Sequence, residues 1–399
     1  MTPDHTKLAW LLLFASAILS GCVTPRKPVP SGPPAPRYEK VTWSQVEGWS
    51  VDQPQEAWSA FMASCKARGT RPEWKSVCTA ASSQSVTDAV SARRFFETYF
   101  APYRVLQTEG KSVTDSGTVT GYFEPLLRGS RKSSPAFTVP LYAPPPDMLT
   151  IELGDLYPEL KGKRVRGRLD GRKVVPYYTR ADLDRSPALK GQEIVWVEDA
   201  VAAFFLEVQG SGRVQLNDGS TIRVAYADQN GQPYRSIGRY LVERGEMTLD
   251  QASAQSIRQW VQLHPQRLRE VLNANPSVVF FREEPLADPS IGPQGALGVP
   301  LTAGRSIAVD PQFVPLGAPV FLATTQPNSD VPLRRLVMAQ DTGGAIKGIV
   351  RADLFWGFGD AAGEAAGRMR QQGRMWIMWP RDATFPLASP AVAGAPGKM

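Results

Sequence analysis

The sequence predicts a mainly β protein with helices at its N-terminal end and a small closed barrel in its C-terminal third. Two observations carry this. Apolar stripes at helical spacing stop near residue 107, and short apolar runs then recur between turn signals at Val299–Leu301, Ser306–Val309, Pro319–Leu322, Leu336–Gln340 and Met375–Trp379. Closure is how such a set of short strands disposes of its edges. The chain has 399 residues, 42% of them hydrophobic and 21% charged, which fits a globular protein. At roughly 150 residues per domain, that is room for two packed domains and a tail.

The leader comes first. Lys7 precedes the apolar run Leu8–Leu19, which is shorter than the roughly 20 residues a membrane span needs and suits an export signal over residues 1–21. It ends in Leu19-Ser20-Gly21-Cys22, which resembles the bacterial lipobox, in which the cysteine thiol receives diacylglycerol. Val23, rather than Asp, follows Cys22. By resemblance to Gram-negative lipoproteins this implies a lipid anchor on Cys22 in the outer membrane, facing the periplasm. Residues 22–40 then read as the lipidated cysteine and a tether, with six prolines between Val23 and Arg37 and no apolar periodicity.

The helical region follows. Trp58, Phe61, Met62 and Cys65 share one stripe, and Trp74, Val77, Cys78 and Ala81 share another. Two facing helices with matched cysteines in an oxidising compartment favour a Cys65–Cys78 disulfide over free thiols or zinc. A third helix begins near Thr87 and carries Ala89, Ala92, Phe96 and Tyr99. Val113–Phe123 is β-rich, and Tyr142–Arg172 reads as loops and short strands. Strands are expected at Glu193–Val197 and Ala203–Gln209, followed by a hairpin of Val214–Leu216 and Thr221–Ala227 turning on Asn217-Asp218-Gly219. Thr248-Leu249-Asp250-Gln251 has the form of a capping box opening a helix to Leu263, and Pro265 starts another that ends at Asn275-Pro276. Ala388–Met399 is expected to be a disordered tail.

Composition narrows the chemistry. The net charge of +7 suggests an anionic partner, but no run of five Lys or Arg and no nucleic-acid signature is present, so nucleic acid is set aside. Of two histidines, His5 lies in the leader, which leaves His264. A His-rich zinc site and a Ser-His-Asp machine are thereby disfavoured, and neither a metal nor an organic cofactor is indicated. Carboxylates are left to do the work. Asp310, Asp341 and Asp353 each end or interrupt an apolar strand-like segment. An aspartate at a barrel mouth, dried by aromatics, has the raised pKa of a general acid; a turn-capping aspartate is the plain alternative. Gly343, Gly344 and Gly348 allow a ligand close to the backbone.

The run Ala339-Gln340-Asp341-Thr342-Gly343-Gly344-Ala345-Ile346-Lys347-Gly348, with Asp353-Leu354-Phe355-Trp356-Gly357 and Ala366-Gly367, resembles the three-aspartate domain of the membrane-bound lytic transglycosylase A family. Thr120-Gly121-Tyr122-Phe123-Glu124-Pro125, Val208-Gln209-Gly210-Ser211-Gly212, Asp218-Gly219 and Tyr234-Arg235-Ser236-Ile237-Gly238 resemble further blocks of that family, so the likeness covers roughly residues 40–380. It implies a double-psi β-barrel domain formed by residues 41–130, with the helical region, and by 286–380. A second β-rich domain, 131–285, is inserted between them, and 381–399 is a tail. Peptidoglycan glycan strands would lie in the groove between the domains, and other cell-wall enzymes are possible partners.

By residue match, the resemblance makes Asp353 the catalytic acid, with Asp341 and Asp310 orienting groups or tuning its pKa. Thr120, Tyr122, Gln209, Ser211, Gly343 and Gly344 would line the groove. Tyr122, Phe123, Tyr226, Tyr234 and Trp356 are candidates to stack on sugar rings, or else core. Lys347 is a candidate partner for a muramyl or peptide carboxylate, or else a solvated lysine. Arg351 reads as surface and His264 as structural. The implied activity is cleavage of the MurNAc–GlcNAc β-1,4 bond without water, leaving 1,6-anhydroMurNAc ends. The alternatives are an inverting hydrolase with Asp341 or Asp310 as base and a non-catalytic peptidoglycan-binding lipoprotein. An aspartic protease would require a dimer, since only one Asp-Thr-Gly occurs.

Overall fold

Strand Gly117–Glu124 (β1) belongs to a barrel that the chain leaves and rejoins only at Ser306–Val309 (β2), followed by Pro319–Thr325 (β3), Pro332–Asp341 (β4), Arg351–Phe358 (β5) and Arg370–Pro380 (β6). This is seen in a computed structural model, which describes residues 34–387 except 161, 162, 164, 250 and 287. The leader, Cys22, the tether up to residue 33 and the tail from 388 lie outside the described residues.

The ring runs β6-β3-β4-β2-β5-β1 and closes where β1 pairs again with β6. The β2–β4 and β5–β1 pairs are parallel, and the other four are antiparallel. Closure leaves the six strands without free edges. The interior is filled by side chains such as Val119, Ile307, Val320, Val337, Leu354 and Ile377, all essentially without solvent contact, while Phe321, Leu336 and Met338 on the other face of the strands are buried outside the barrel. Helices Trp58–Arg68, Pro72–Ser82 and Ala89–Tyr99 cover the barrel from outside. The buried Gln340 anchors the first of them by donating from Nε2 to the Ala60 carbonyl and to Ser64 Oγ. Cys65 and Cys78 are disulfide-bonded between the first two helices.

Between β1 and β2 the chain builds a six-stranded sheet whose spatial order is Val279–Glu284, Thr221–Gln229, Ser211–Leu216, Leu126–Ser130, Glu193–Val197, Val139–Tyr142. A three-stranded sheet of Leu149–Ile151, Val165–Asp170 and Lys173–Pro176 accompanies it. The expected class, a mainly β double-psi barrel with N-terminal helices and an inserted β-rich domain, is the architecture found.

Five local expectations are corrected. The helical region read to residue 107 ends at Tyr99, because Phe100–Glu109 is a strand paired with the barrel, and the last part of the stretch read as tether, Ala35–Lys40, is a strand antiparallel to it. Ala203–Gln209 is not a strand but the end of a helix, Ala200–Gln209. The Asp199 carboxylate accepts from Val201 and Ala202 N–H, Gly210 at φ 80° terminates the helix, and burial of its Val201, Phe204 and Leu206 masks the alternation that would separate helix from strand. The helix expected from Thr248 begins instead at Ala254, capped by Ser253, whose Oγ accepts from Ser256 N–H at 3.1 Å. Val299–Leu301 forms no strand and contributes an isolated bridge between Gln294 and Pro300.

One ion cluster joins the two parts. Glu124, fully buried at the end of β1, accepts from Arg213 Nε at 2.9 Å and from Arg223 Nε at 2.6 Å, both on insert strands. The Arg213 guanidinium lies 3.7 Å from the Phe358 ring centroid on β5. Glu124→Ala leaves two buried cations without their anion, and the expected loss is about 3–5 kcal/mol in denaturant unfolding. For the Cys65→Ser, Cys78→Ser variant, opening a crosslink between residues 13 apart is expected to cost about 3 kcal/mol in the same assay.

Candidate active site

Alternation along the barrel strands sorts side chains between two faces. Val119, Ile307, Val309, Ala339, Ala352 and Leu354 point into the main core. Their neighbours Thr120, Tyr122, Ala308, Asp353 and Phe355 point out. In register, Ala308 stands opposite both Asp353 and Asp341, and Asp353 stands opposite Thr120. A single row therefore crosses four strands in the order Asp341, Ala308, Asp353, Thr120. Asp341 reaches it because the β2–β4 register slips: Ile307 pairs with Ala339 but Ala308 pairs with Asp341, which leaves Gln340 buried. Such a bulge re-aims a side chain.

Around this row Tyr122, Leu301, Ala308, Ile346 and Phe355 form a small apolar cluster separate from the barrel core. It dries the carboxylates. Asp353 Oδ1 accepts from Thr120 Oγ1 at 2.5 Å. Burial raises its pKa to about 6, against the Thr120 hydrogen bond and the Arg351 charge, which pull it down; the Asp341 charge adds to the rise. Asp341 is also raised, by burial, against donors at both its oxygens. Its Oδ1 accepts from Ala296 and Thr342 N–H, each at 2.9 Å, and its Oδ2 from Tyr122 Oη at 2.9 Å. Tyr122 is held neutral, first by burial and then by the Asp341 charge.

The third aspartate does something else. Asp310, buried just after β2, accepts from Gln312 N–H at 3.2 Å and from Gly348 N–H at 3.1 Å, which ties the loop after Asp341 to the turn after β2. Gly343, Gly344 and the exposed Lys347 lie on that loop. From the insert, Gln209 Oε1 accepts from Phe123 N–H on β1 at 3.0 Å, and Ser211 begins the strand just beyond. Among the described residues neither the Gln209 side-chain amide nitrogen nor the Ser211 hydroxyl has a hydrogen-bond partner. Tyr122 is packed against Phe355, with ring centroids 5.2 Å apart, and Trp356 Nε1 donates to Met369 Sδ. Tyr234 remains 40% exposed. His264 Nδ1 lies 2.9 Å from the Trp260 carbonyl oxygen and its ring stacks on Trp260.

Arg351 is not the surface residue expected. It is partly buried, and Nη2 donates to Thr120 Oγ1 at 2.8 Å. Its alternation with Asp353 and Phe355 along one strand is the signal that places it on the same face. Glu124 was legible as part of a motif but not as an ion-cluster centre, because its arginines come from strands 89 and 99 residues away that nothing local pairs with it. Among the described residues no group of three or more His, Cys, Asp or Glu is placed to hold a metal ion. A separate groove lined by Arg68, Trp74, Pro311, Leu316 and Trp379 contains none of the aspartate row.

A closed barrel carrying three aspartates and split by an inserted domain defines a distinct class of protein. Residues 118–282 match the family model described as the MltA specific insert domain, and 305–379 match the 3D domain. The chain is 32% identical over 280 residues to membrane-bound lytic murein transglycosylase A of Escherichia coli strain K12, covering 68% of each. The crystal structure of MltA from Neisseria gonorrhoeae is similar at 37% identity and TM-score 0.75, over 90% of this chain and 97% of that one. The lytic transglycosylase LtgG of Burkholderia pseudomallei is similar at 47% identity and TM-score 0.57, over 88% and 98%. The chain belongs to the membrane-bound lytic murein transglycosylase A family.

The raised pKa of Asp353 has a consequence for stability. The native state holds this proton up to about pH 6, whereas the unfolded chain releases it near 3.8, so the favourable contribution is complete below about pH 4 and is lost as pH rises through 6. Asp353→Asn removes the buried charge. Its melting temperature is expected to exceed the parent's at pH 7.5, by the equivalent of up to about 3 kcal/mol, and to come close to it at pH 4.

Proposed function

We propose that the protein is a peptidoglycan lytic transglycosylase in which Asp353 alone acts first as acid and then as base. The observation that carries this is the state of the three carboxyl groups. Both oxygens of Asp341 and of Asp310 are engaged by donors, whereas Asp353 Oδ2 has no partner among the described residues. Asp353 is also the group with a pKa near 6, so it is protonated often enough to donate and weak enough as an acid to take a proton back.

With a glycan strand across the row, the Asp353 proton passes to the oxygen linking MurNAc to the next GlcNAc, and the C1–O bond breaks. Positive charge develops at C1 of the muramic ring, beside the Asp353 and Asp341 carboxylates. The C6 hydroxyl of that ring attacks C1 and gives its proton to Asp353. A C1–O6 bond replaces the glycosidic one, the product ends in 1,6-anhydroMurNAc, and Asp353 is again protonated. An inverting hydrolase needs a second carboxylate free to hold water, and the donors already bound to Asp341 and Asp310 argue against that role for either.

Thr120 and Tyr122 on β1, Gln209 and Ser211 from the insert, and Gly343, Gly344 and Lys347 on the loop after Asp341 would line the strand's path. Asp341 would hold Tyr122 and the Ala296 backbone in place, and Asp310 the loop. The lipobox at Cys22 supports anchoring in the outer membrane with the enzyme facing the periplasm; among the described residues no helix is long and apolar enough to span a membrane.

Detergent-purified protein incubated with isolated sacculi is expected to release anhydromuropeptides, identified by mass spectrometry. Asp353→Asn should lower their yield on the order of 10³-fold while keeping sacculus binding. Reducing ends would instead make the protein a hydrolase, cleaved cross-bridges a peptidase, and pelleting with intact sacculi without turnover a scaffold.

A further inference from the structure

We propose that Arg351 is a positioning residue that fixes the direction of the Thr120–Asp353 hydrogen bond and so assigns Oδ2 of Asp353 as the oxygen that gives and recovers the proton. This rests on the reading of Asp353 as the acid-base group.

The argument is one of donor and acceptor counting. A threonine hydroxyl has one proton and can accept, while a guanidinium can only donate. Arg351 Nη2 lies 2.8 Å from Thr120 Oγ1, so the hydroxyl oxygen is the acceptor there. Its one proton is then free to point at Asp353 Oδ1, 2.5 Å away. Without the arginine, the same 2.5 Å contact would allow the reverse arrangement, with a protonated Oδ1 donating to Thr120. With it, the hydroxyl oxygen keeps a second lone pair but is polarised by the guanidinium into a stronger donor and a poorer second acceptor. The reverse arrangement would also leave the hydroxyl proton without an acceptor among the described residues, so Oδ1 accepts in both protonation states. The proton of the neutral acid is therefore on Oδ2, which has no partner among the described residues.

Arg351 is itself held in place. Nη1 donates to the Ala352 carbonyl at 2.6 Å and to the Thr118 carbonyl at 3.3 Å, so both paired strands orient its fork. The titratable or charged groups facing Asp353 are Arg351 on its own strand, Tyr122 on β1 and Asp341 on β4. Tyr122 is neutral, which leaves one cation opposing one carboxylate and the desolvation of the site. Arg351 thus also limits how far burial lifts the acid.

The test follows the alkaline limb of kcat/KM for anhydro-product release by the full chain, since that limb reports the acid in the free enzyme. Arg351→Met is expected to lower kcat and move the limb up by about one pH unit, because a nearby cation lowers an aspartate pKa by about that much or more. Thr120→Val should move it the same way, and Thr120→Ser should restore the parental limb. A limb unmoved in both Arg351→Met and Thr120→Val, with activity reduced evenly across pH, would mean a structural role only and would overturn the proposal. Should Arg351→Met not fold, the Thr120→Val and Thr120→Ser pair decides on the same limb. Asp353→Asn separates the two levels. If it is inactive and the limb stays put in the other variants, only the role of Arg351 falls; if it turns over normally, the acid-base reading falls as well.

Discussion

The parallel pairing of β1 with β5 is the contact on which the site depends. It sets Thr120 level with Asp353 and Tyr122 level with Phe355, so one pairing supplies the hydroxyl that touches the acid and the aromatic wall that dries it. A shift of one residue would turn Asp353 toward the core and Leu354 toward solvent, a reversal that strand alternation makes all-or-none. Barrel closure through β6 prevents that shift, because β1 is pinned on its other side by pairing with Arg370–Gly373.

The same strand also leads the chain out of the barrel. Glu124 ends it with a fully buried carboxylate held by Arg213 and Arg223 of the insert. An ion cluster of this kind contributes little net stability compared with an apolar core, but it is costly to break and has one good geometry. Together with Gln209, which accepts from the Phe123 backbone, it relates the insert to the row of aspartates within a few residues of Thr120. The two halves of the proposed glycan path are therefore referenced to one strand.

Three aspartates in similar sequence settings have three different environments. Asp310 is satisfied by backbone amides and organises a loop. Asp341 is surrounded by two amides and a phenol. Asp353 has one short hydrogen bond, and its burial against an apolar cluster, with the Asp341 charge, outweighs that bond and the Arg351 charge, so its proton is held to about pH 6. Desolvation against few compensating donors is what distinguishes a group suited to proton transfer from one that serves as scaffolding.

The sequence by itself determined the class of fold, the helical N-terminal region, the hairpin over residues 214–227 and the family blocks that pick out Asp353, Asp341 and Thr120, because periodicity, turn residues and ordered motifs are local properties. It misassigned Ala203–Gln209, where a helix with Val201, Phe204 and Leu206 all buried masks its period. It also left Arg351 on the surface, although two-residue alternation with Asp353 was there to read. What only the tertiary structure decided was the bulge that brings Asp341 into the row, the ion cluster at Glu124 and the unequal hydrogen bonding of three alike buried carboxylates. Each of these depends on which distant strands become neighbours, and closing a barrel is a non-local event that no window of sequence contains.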